Sequence, residues 1–486
     1  MAGGVTGFGV VEGRTLFLDG KWSGATGGFV RHDPADLGRA TAELSRAEPA
    51  HVEAAYRAAA AAAPAWADRT ADQRAELLRA VADLLDRCRE EAALRLVADI
   101  GKPLADSRAE VARSAAILRY FAGELAQPSG STFPSADPDT LLMTVEQPLG
   151  PVCAITPWNF PFAIPTWKIA PAIGFGNPVV WKPAEAASAS AVFLTRAFEA
   201  AGLPAGVLNL VTGHGRELSG ALTSDPALRA ITFTGSGPVG AALRRAVADR
   251  TVKVQLELGG KNPAVVLADA DLGLAAREVA RGAMLSAGQR CTATSRVYVE
   301  AAVADEFTAR LKAEVLAMRL GDPTDPETAI GPLASAEQRD AVRRYVDLAR
   351  REGATFVTGE EQPGDGCFVR PVVLRDVSPE SALVREEIFG PVAVVREVSG
   401  WEEAIELANR TEFGLSSAIF TRDLTRAIRF VRRSESGLVH VNRETAGVEP
   451  HVPFGGLKAS SSQDREQGKA ARQFFTSTKT VYLKTA

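Results

Sequence analysis

Two stretches of this chain carry residue types suited to covalent chemistry. One is Val254-Gln255-Leu256-Glu257-Leu258-Gly259-Gly260-Lys261; the other is Gly288-Gln289-Arg290-Cys291-Thr292-Ala293-Thr294. Cys291 lies among polar neighbours, and Arg290 beside it would lower a thiol pKa and favour the nucleophilic thiolate. Cys88, Cys153 and Cys367 read instead as small core hydrophobes. Glu257 interrupts an otherwise apolar strand, 252–258. A carboxylate buried there either finds a cation or takes up a proton. It is therefore a salt-bridged structural group or a general base with a raised pKa. Gly259-Gly260 would let the backbone come close to a ligand. The combination is a thiol nucleophile with a carboxylate base.

The elements that must position this pair follow from periodicity. A helix is expected over 271–287, between the two stretches. From residue 150, β-rich runs at 152–155, 178–181, 207–211, 230–233 and 252–256 alternate with helical patterns near 187–201, 216–223 and 237–249. That rhythm predicts a parallel sheet covered by helices. Ligands in such sheets bind beyond the carboxyl ends of the strands. The loops there are Thr156-Pro157-Trp158-Asn159, Lys182-Pro183-Ala184-Glu185, Thr212-Gly213-His214-Gly215 and Thr234-Gly235-Ser236-Gly237. Their Gly, Thr, Ser and Lys content suits a phosphate-bearing ligand, and the last opens a helix whose free N–H groups could hold phosphate. It lacks the full GxGxxG pattern, so an ordinary βα turn reads equally well there. A second alternation starts at 263–267 and runs to 437–441, a second α/β lobe. Upstream lie a hairpin over 16–22, helices over 49–64, 71–99 (opened by a Thr70–Gln73 capping box) and 104–127, and a strand over 140–146. That strand stands outside any βα rhythm, so it pairs outside its own lobe, and a last strand is expected near 479–483. Residues 1–13 are expected to be disordered.

Length and composition narrow the function. At 486 residues the chain needs two or three lobes. A net charge of −4 with no basic block argues against nucleic-acid binding. No apolar run reaches the ~18 residues of a membrane span; the stretch from Phe160 to Trp181 is broken by Pro161, Pro165, Lys168, Pro171 and Pro178. The start of the chain lacks a signal-peptide pattern, and four cysteines do not make a disulfide framework, so a cytoplasmic protein is expected. The five histidines show no metal-ligand spacing, and no CxxC or GxSxG occurs.

Seven segments, in order and spread along residues 15–485, make the chain resemble the NAD(P)-dependent aldehyde dehydrogenase superfamily. They are Pro157-Trp158-Asn159-Phe160-Pro161, Trp181-Lys182-Pro183-Ala184-Glu185, Phe233-Thr234-Gly235-Ser236, Leu256-Glu257-Leu258-Gly259-Gly260-Lys261, Gly288-Gln289-Arg290-Cys291, Glu386-Glu387-Ile388-Phe389-Gly390-Pro391 and Pro453-Phe454-Gly455-Gly456. The resemblance implies an α/β fold with a Rossmann-type cofactor domain (1–129 and 149–257), an α/β catalytic domain (258–458) and a β oligomerisation arm (130–148 and 459–486). It implies a homodimer or homotetramer acting on a small-molecule aldehyde. Cys291 would attack the aldehyde, Asn159 and the Cys291 N–H would hold the oxyanion, and Glu257 would activate water against the thioester. The cofactor would be held by Thr156, Pro157, Trp158, Lys182, Glu185, Gly215, Phe233, Thr234, Gly235, Ser236, Leu258, Gly259, Glu387 and Phe389. Glu185, beside the ribose, favours NAD; NADP stays open because Lys182 and Arg216 could offset the charge.

For the substrate, the resemblance narrows to the 2-oxoglutarate-semialdehyde branch, through Glu444-Thr445-Ala446-Gly447-Val448-Glu449-Pro450, the departure Lys458-Ala459-Ser460-Ser461-Ser462 from the usual family pattern, and Pro165 and Trp167. Trp167 stands where succinate-semialdehyde enzymes of the superfamily carry an arginine. Arg290, Arg113 and Arg443 suggest an anionic aldehyde, since guanidinium binds carboxylate in a fork; Trp167 and Thr292 would line the site. The expected substrate is a short semialdehyde such as 2-oxoglutarate or succinate semialdehyde. A phosphate- or phosphonate-bearing aldehyde is the second reading, and a non-catalytic NAD-binding protein the third.

Overall fold

The computed structural model describes residues 13–484, so the expectations for 1–13 and for the start of the chain fall, Gly13 and Arg14 apart, outside the described residues. The first sheet has seven strands, in the order Lys253–Glu257, Ala230–Thr234, Val152–Thr156, Val179–Pro183, Leu208–Leu210, Leu16–Leu18, Lys21–Ser23. The first five are parallel, and the last two form the antiparallel hairpin read from the sequence. Strand order reverses around Val152–Thr156, which opens a crevice at its carboxyl end, between the loops after Thr156 and Thr234. The second sheet runs Thr355–Thr358, Val372–Arg375, Val392–Val398, Thr294–Glu300, Asn262–Val266, Ser416–Phe420, Leu438–Val441, parallel except for its first pair. Each sheet is flanked by its own buried apolar clusters, so the cleft lies between two separate cores.

Several elements depart from the sequence reading for identifiable reasons. The helix expected over 71–99 is two, Ala71–Arg87 and Arg89–Ile100, because Cys88 leaves helical geometry (φ −103°, ψ 26°); the Thr70–Gln73 capping box is present. The proline-rich stretch after Phe160 contains a helix, Ala163–Gly174, buried throughout. Pro165 falls in its first turn, where a missing N–H costs nothing. The hairpin of Gly27–His32 with Ala40–Arg46 was not foreseen; its first strand is half glycine and charge and largely exposed.

Two departures bear on the cleft. The helix expected to reach 287 ends at Met284, and the chain then turns through left-handed backbone at Ser286 (φ 55°), Ala287 (52°) and Gly288 (66°). A Cβ at Gly288 would meet the Gly390 carbonyl oxygen at 2.2 Å, so only glycine fits. The expected arm segment also divides. Thr476–Lys484 pairs antiparallel with Thr140–Pro148, which also pairs with Thr132–Phe133. Residues 459–460 bond to the second lobe, through the Ala459 N–H to the Glu412 carbonyl (3.0 Å) and the Gly414 N–H to Ser460 Oγ (3.0 Å), and the segment then runs onto the first domain. Leu258 N–H donates to the Ser460 carbonyl (2.8 Å) and Ser462 N–H to that of Leu256 (2.9 Å), along the exposed edge of the first sheet. Helix Gly468–Phe475 then buries Ala471, Phe474 and Phe475 in that domain's core. The two phenylalanines, worth about 2–3 kcal/mol each on burial, cannot stay on a solvent-facing arm.

Candidate active site

Glu257 ends the edge strand of the first sheet, 2% exposed. Its Oε2 accepts a hydrogen bond from Ser461 Oγ (2.6 Å), while Oε1 is buried without a partner. Behind it lie Glu466 and Lys168, ion-paired and fully buried, with Lys168 Nζ also donating to Thr232 Oγ1 (3.0 Å). Burial holds the Glu257 carboxyl well above the usual carboxylate range, and the charge of Glu466 adds to it. The Ser461 hydrogen bond, Lys168 and Arg465 pull the other way. Ser461, Glu466 and Lys168 were missed by sequence reasoning. Only Lys168 carried a signal, as a lone cation inside an apolar run.

Cys291 follows the left-handed turn, and its backbone is clamped. Asn262 Nδ2 donates to the carbonyls of Cys291 (2.8 Å) and Ala293 (2.9 Å), while Asn262 Oδ1 accepts the Ser416 N–H (3.0 Å). Thr292, buried, accepts at its carbonyl from Thr445 Oγ1 (2.7 Å). Burial pushes the Cys291 thiol up to about 12, with Glu387 and Glu257 reinforcing the shift and the Thr292 N–H opposing it. Arg290 does not supply the expected counter-charge. Its guanidinium turns back to the carbonyls of Arg281 (2.6 Å) and Gly282 (3.1 Å) in the last turn of helix Leu272–Met284, and to Glu444 at 3.5 Å. A cation satisfies the orphan carbonyls of a helix end, and that use wins over pointing at the thiol. These bonds engage Nη2 alone, and Nε stays buried without a partner.

Asn159, 5% exposed, donates through Nδ2 to the Gln289 carbonyl (2.9 Å), two residues before Cys291. An amide nitrogen has two hydrogens, so one stays available to an oxyanion; Oδ1 is buried without a partner. Asn159 thus shares the nucleophile's turn.

The crevice loops carry the remaining candidates. Thr156 Oγ1 accepts from Trp181 Nε1 (2.9 Å), and Pro157 and Trp158 follow in the same turn. Trp158 meets Phe389 edge-on, centroids 5.4 Å apart, and the Phe389 carbonyl accepts from Gln338 Nε2 (2.9 Å). Lys182 is buried, its ammonium pushed down to about 8 by desolvation against the pull of Glu185. Glu185 lies 2.6 Å from His214 Nδ1, and Gly215 opens helix Gly215–Ser224 beside Lys182. Phe233 is buried, Gly235 N–H donates to the Glu257 carbonyl (3.0 Å), and Ser236 precedes helix Gly237–Ala246 without capping it. Thr234 Oγ1 is buried and unpartnered. An uncapped helix start, an orphan hydroxyl and a buried ammonium suit a phosphate-bearing ligand. Leu258 leads into Gly259, where a Cβ would lie 2.1 Å from Glu387 Oε2. Glu387 Oε1 accepts the Gly260 N–H (3.0 Å), and burial pushes its carboxyl up to about 7.

Of the residues expected to touch substrate, Trp167 is buried and tilted against Phe454, centroids 6.0 Å apart. Arg113 is directed at the loop 443–450, donating to the Val448 carbonyl (3.0 Å), and Arg443 is exposed on that loop beneath Gly447.

Known proteins share this fold. The model of the aldehyde dehydrogenase family matches residues 22–481. An alpha-ketoglutaric semialdehyde dehydrogenase of Bacillus subtilis (strain 168) is 42% identical over 475 residues, 96% of this chain and 97% of the relative. The crystal structure of an NAD-dependent aldehyde dehydrogenase from Sinorhizobium meliloti superposes with TM-score 0.95 at 35% identity, covering 98% of this chain and 95% of that one. A betaine aldehyde dehydrogenase from Staphylococcus aureus, a point mutant solved in complex with NAD+, gives 0.93 at 32%, covering 97% and 96%. The family match over residues 22–481 and the identity to the Bacillus subtilis relative show that the chain belongs to the aldehyde dehydrogenase family.

Proposed function

We propose that this enzyme oxidises a short anionic semialdehyde, such as 2-oxoglutarate or succinate semialdehyde, to the carboxylate, with NAD as the favoured oxidant. The observation that carries the chemistry is the meeting of Cys291, Asn159 and Glu257 from separate elements at one cleft. Cys291 Sγ, its proton lost to water, adds to the aldehyde carbon to give a thiohemiacetal, whose oxyanion is held by the free Asn159 amide hydrogen and the Cys291 N–H. NAD, when bound, would supply the hydride acceptor for oxidation at this carbon to the thioester level. Glu257, with one oxygen fixed by Ser461 and the other free, takes a proton from water as it attacks the thioester, releasing the acid and the thiol. Lys182, Glu185, Ser236, Glu387 and Phe389 would hold the cofactor, and Trp158 would exclude water from the reacting face. Glu185 near the ribose supports NAD over NADP.

The anionic substrate is supported by the semialdehyde relative and by Arg113 and Arg443 meeting at one loop. Arg113 keeps guanidinium hydrogens beyond its single bond to Val448, enough to receive a carboxylate. A homo-oligomer is supported by the three-stranded sheet, which leaves Phe133, Leu141, Tyr482 and Leu483 exposed. A cytoplasmic setting is supported by four free cysteines. The test is NADH formation over a panel of carboxylate, phosphonate and neutral aldehydes, wild type against Cys291→Ala. The reading expects the highest kcat/KM with the dicarbonyl semialdehyde; preference for a neutral or phosphonate aldehyde overturns the substrate, and turnover surviving in Cys291→Ala overturns the mechanism.

A further inference from the structure

Beneath the Asn159 turn lies an ion pair that the chemistry above does not use. Lys102 and Glu110, 5% and 4% exposed, pair through Nζ and Oε2. The same ammonium donates to the Asn159 carbonyl (2.8 Å) and sits 3.9 Å from the centroid of the Phe160 ring. The other carboxylate oxygen, Oε1, accepts the N–H groups of Phe162 (2.9 Å) and Ala163 (3.1 Å). Those are orphan donors at the start of helix Ala163–Gly174, whose N-cap side chain offers no bond of its own. One buried pair therefore holds both ends of the segment 159–163.

Stability alone does not account for the pair. Desolvating two charges roughly cancels their attraction, and apolar residues of equal volume commonly hold a fold as well. What the pair supplies is direction. Lys102 fixes the height of the Asn159 backbone, Glu110 fixes where the helix begins, and that helix carries Lys168 to Glu466 behind Glu257. Asn159 in turn is bonded to the Gln289 carbonyl, so a shift of its backbone moves the amide relative to the Cys291 turn.

We propose that Lys102 and Glu110 are positioning residues for the oxidation, setting the Asn159 amide where the oxyanion forms. The inference rests on the oxyanion role of Asn159. It is tested with Lys102→Met/Glu110→Gln, which removes both charges together while keeping an acceptor for Phe162 and Ala163, and with Asn159→Ala alone and combined with that pair. Asn159→Ala is expected to lower kcat by about 10²–10³-fold. The charge-free pair is expected to lower it by roughly 10²-fold with KM for NAD unchanged, and to add no further loss in the Asn159→Ala background. Losses that multiply in that background, or full kcat in the charge-free pair beside an impaired Asn159→Ala, overturn the positioning role alone. Full kcat in Asn159→Ala removes the oxyanion reading and this inference with it. If the charge-free pair fails to fold, Glu110→Asp, which keeps the charge but shortens its reach, carries the same comparison.

Discussion

Glu257 comes into the cleft from the edge of the first sheet and Cys291 from a turn beside the second, and their surroundings differ in kind. The glutamate is placed through its side chain, by the Ser461 hydroxyl, with the Lys168–Glu466 pair behind it. The cysteine is placed through its backbone, by Asn262 and the left-handed turn, with the carboxylates of Glu387 and Glu257 acting on its sulfur. A base must change its charge during the reaction, so the groups around it tune that charge. A nucleophile must above all point correctly, so the groups around it fix the chain. Burial raises the pKa of both groups.

Four substitutions and one titration would sharpen this contrast or break it. Cys291→Ala should lower NADH formation by on the order of 10⁵-fold or more; a loss within ten-fold would mean another nucleophile. Glu257→Gln should lower steady turnover by roughly 10³-fold, yet still yield a burst of NADH on the stopped-flow timescale. Loss of that burst would show Glu257 acting on the thiol, and the two halves would not be separable. Alkylation of Cys291 by iodoacetamide, without cofactor, should keep quickening well beyond the ordinary cysteine pKa of about 8.5. An acid with a raised pKa stays protonated to higher pH, so a plateau near that value would reveal a counter-charge at the sulfur. Glu466→Gln removes a like charge from beside Glu257 and frees Lys168, both of which ease ionisation. The acidic limb of thioester hydrolysis should move down by about one pH unit, read from the pH–rate profile; an unmoved limb detaches Glu466 from the base. Arg290→Leu should cost about 1 kcal/mol of stability in a urea melt, from the helix end it serves, while changing KM for anionic and neutral aldehydes alike. A rise confined to anionic aldehydes would return Arg290 to the substrate channel.

The sheets were readable because their strands are short β-branched runs spaced by amphipathic helices, a local pattern. The candidate nucleophile and base were readable because each breaks its local pattern, a polar-flanked thiol and a carboxylate in an apolar strand. The direction of Arg290 was not readable. An arginine next to a cysteine in sequence points wherever unpaired carbonyls lie, and those belong to a helix end that ran three residues shorter than its periodicity. Helix Ala163–Gly174 was hidden by prolines that its buried setting tolerates. Ser461, Glu466, Lys102 and Glu110 were invisible for another reason. Each is an ordinary polar residue in its own stretch and acquires a partner only when distant segments meet.

The seating of residues 460–475 along the first sheet has a consequence in time. The hydroxyl that steadies Glu257 and the carboxylate behind it belong to a stretch translated long after both Glu257 and Cys291. A nascent chain can complete the strands of both sheets and still present a base with neither partner. Catalytic competence therefore arrives with the docking of a late segment that also completes the first domain's core. A protease that nicked the chain near residue 459 would be expected to silence the enzyme by loosening that segment from Glu257.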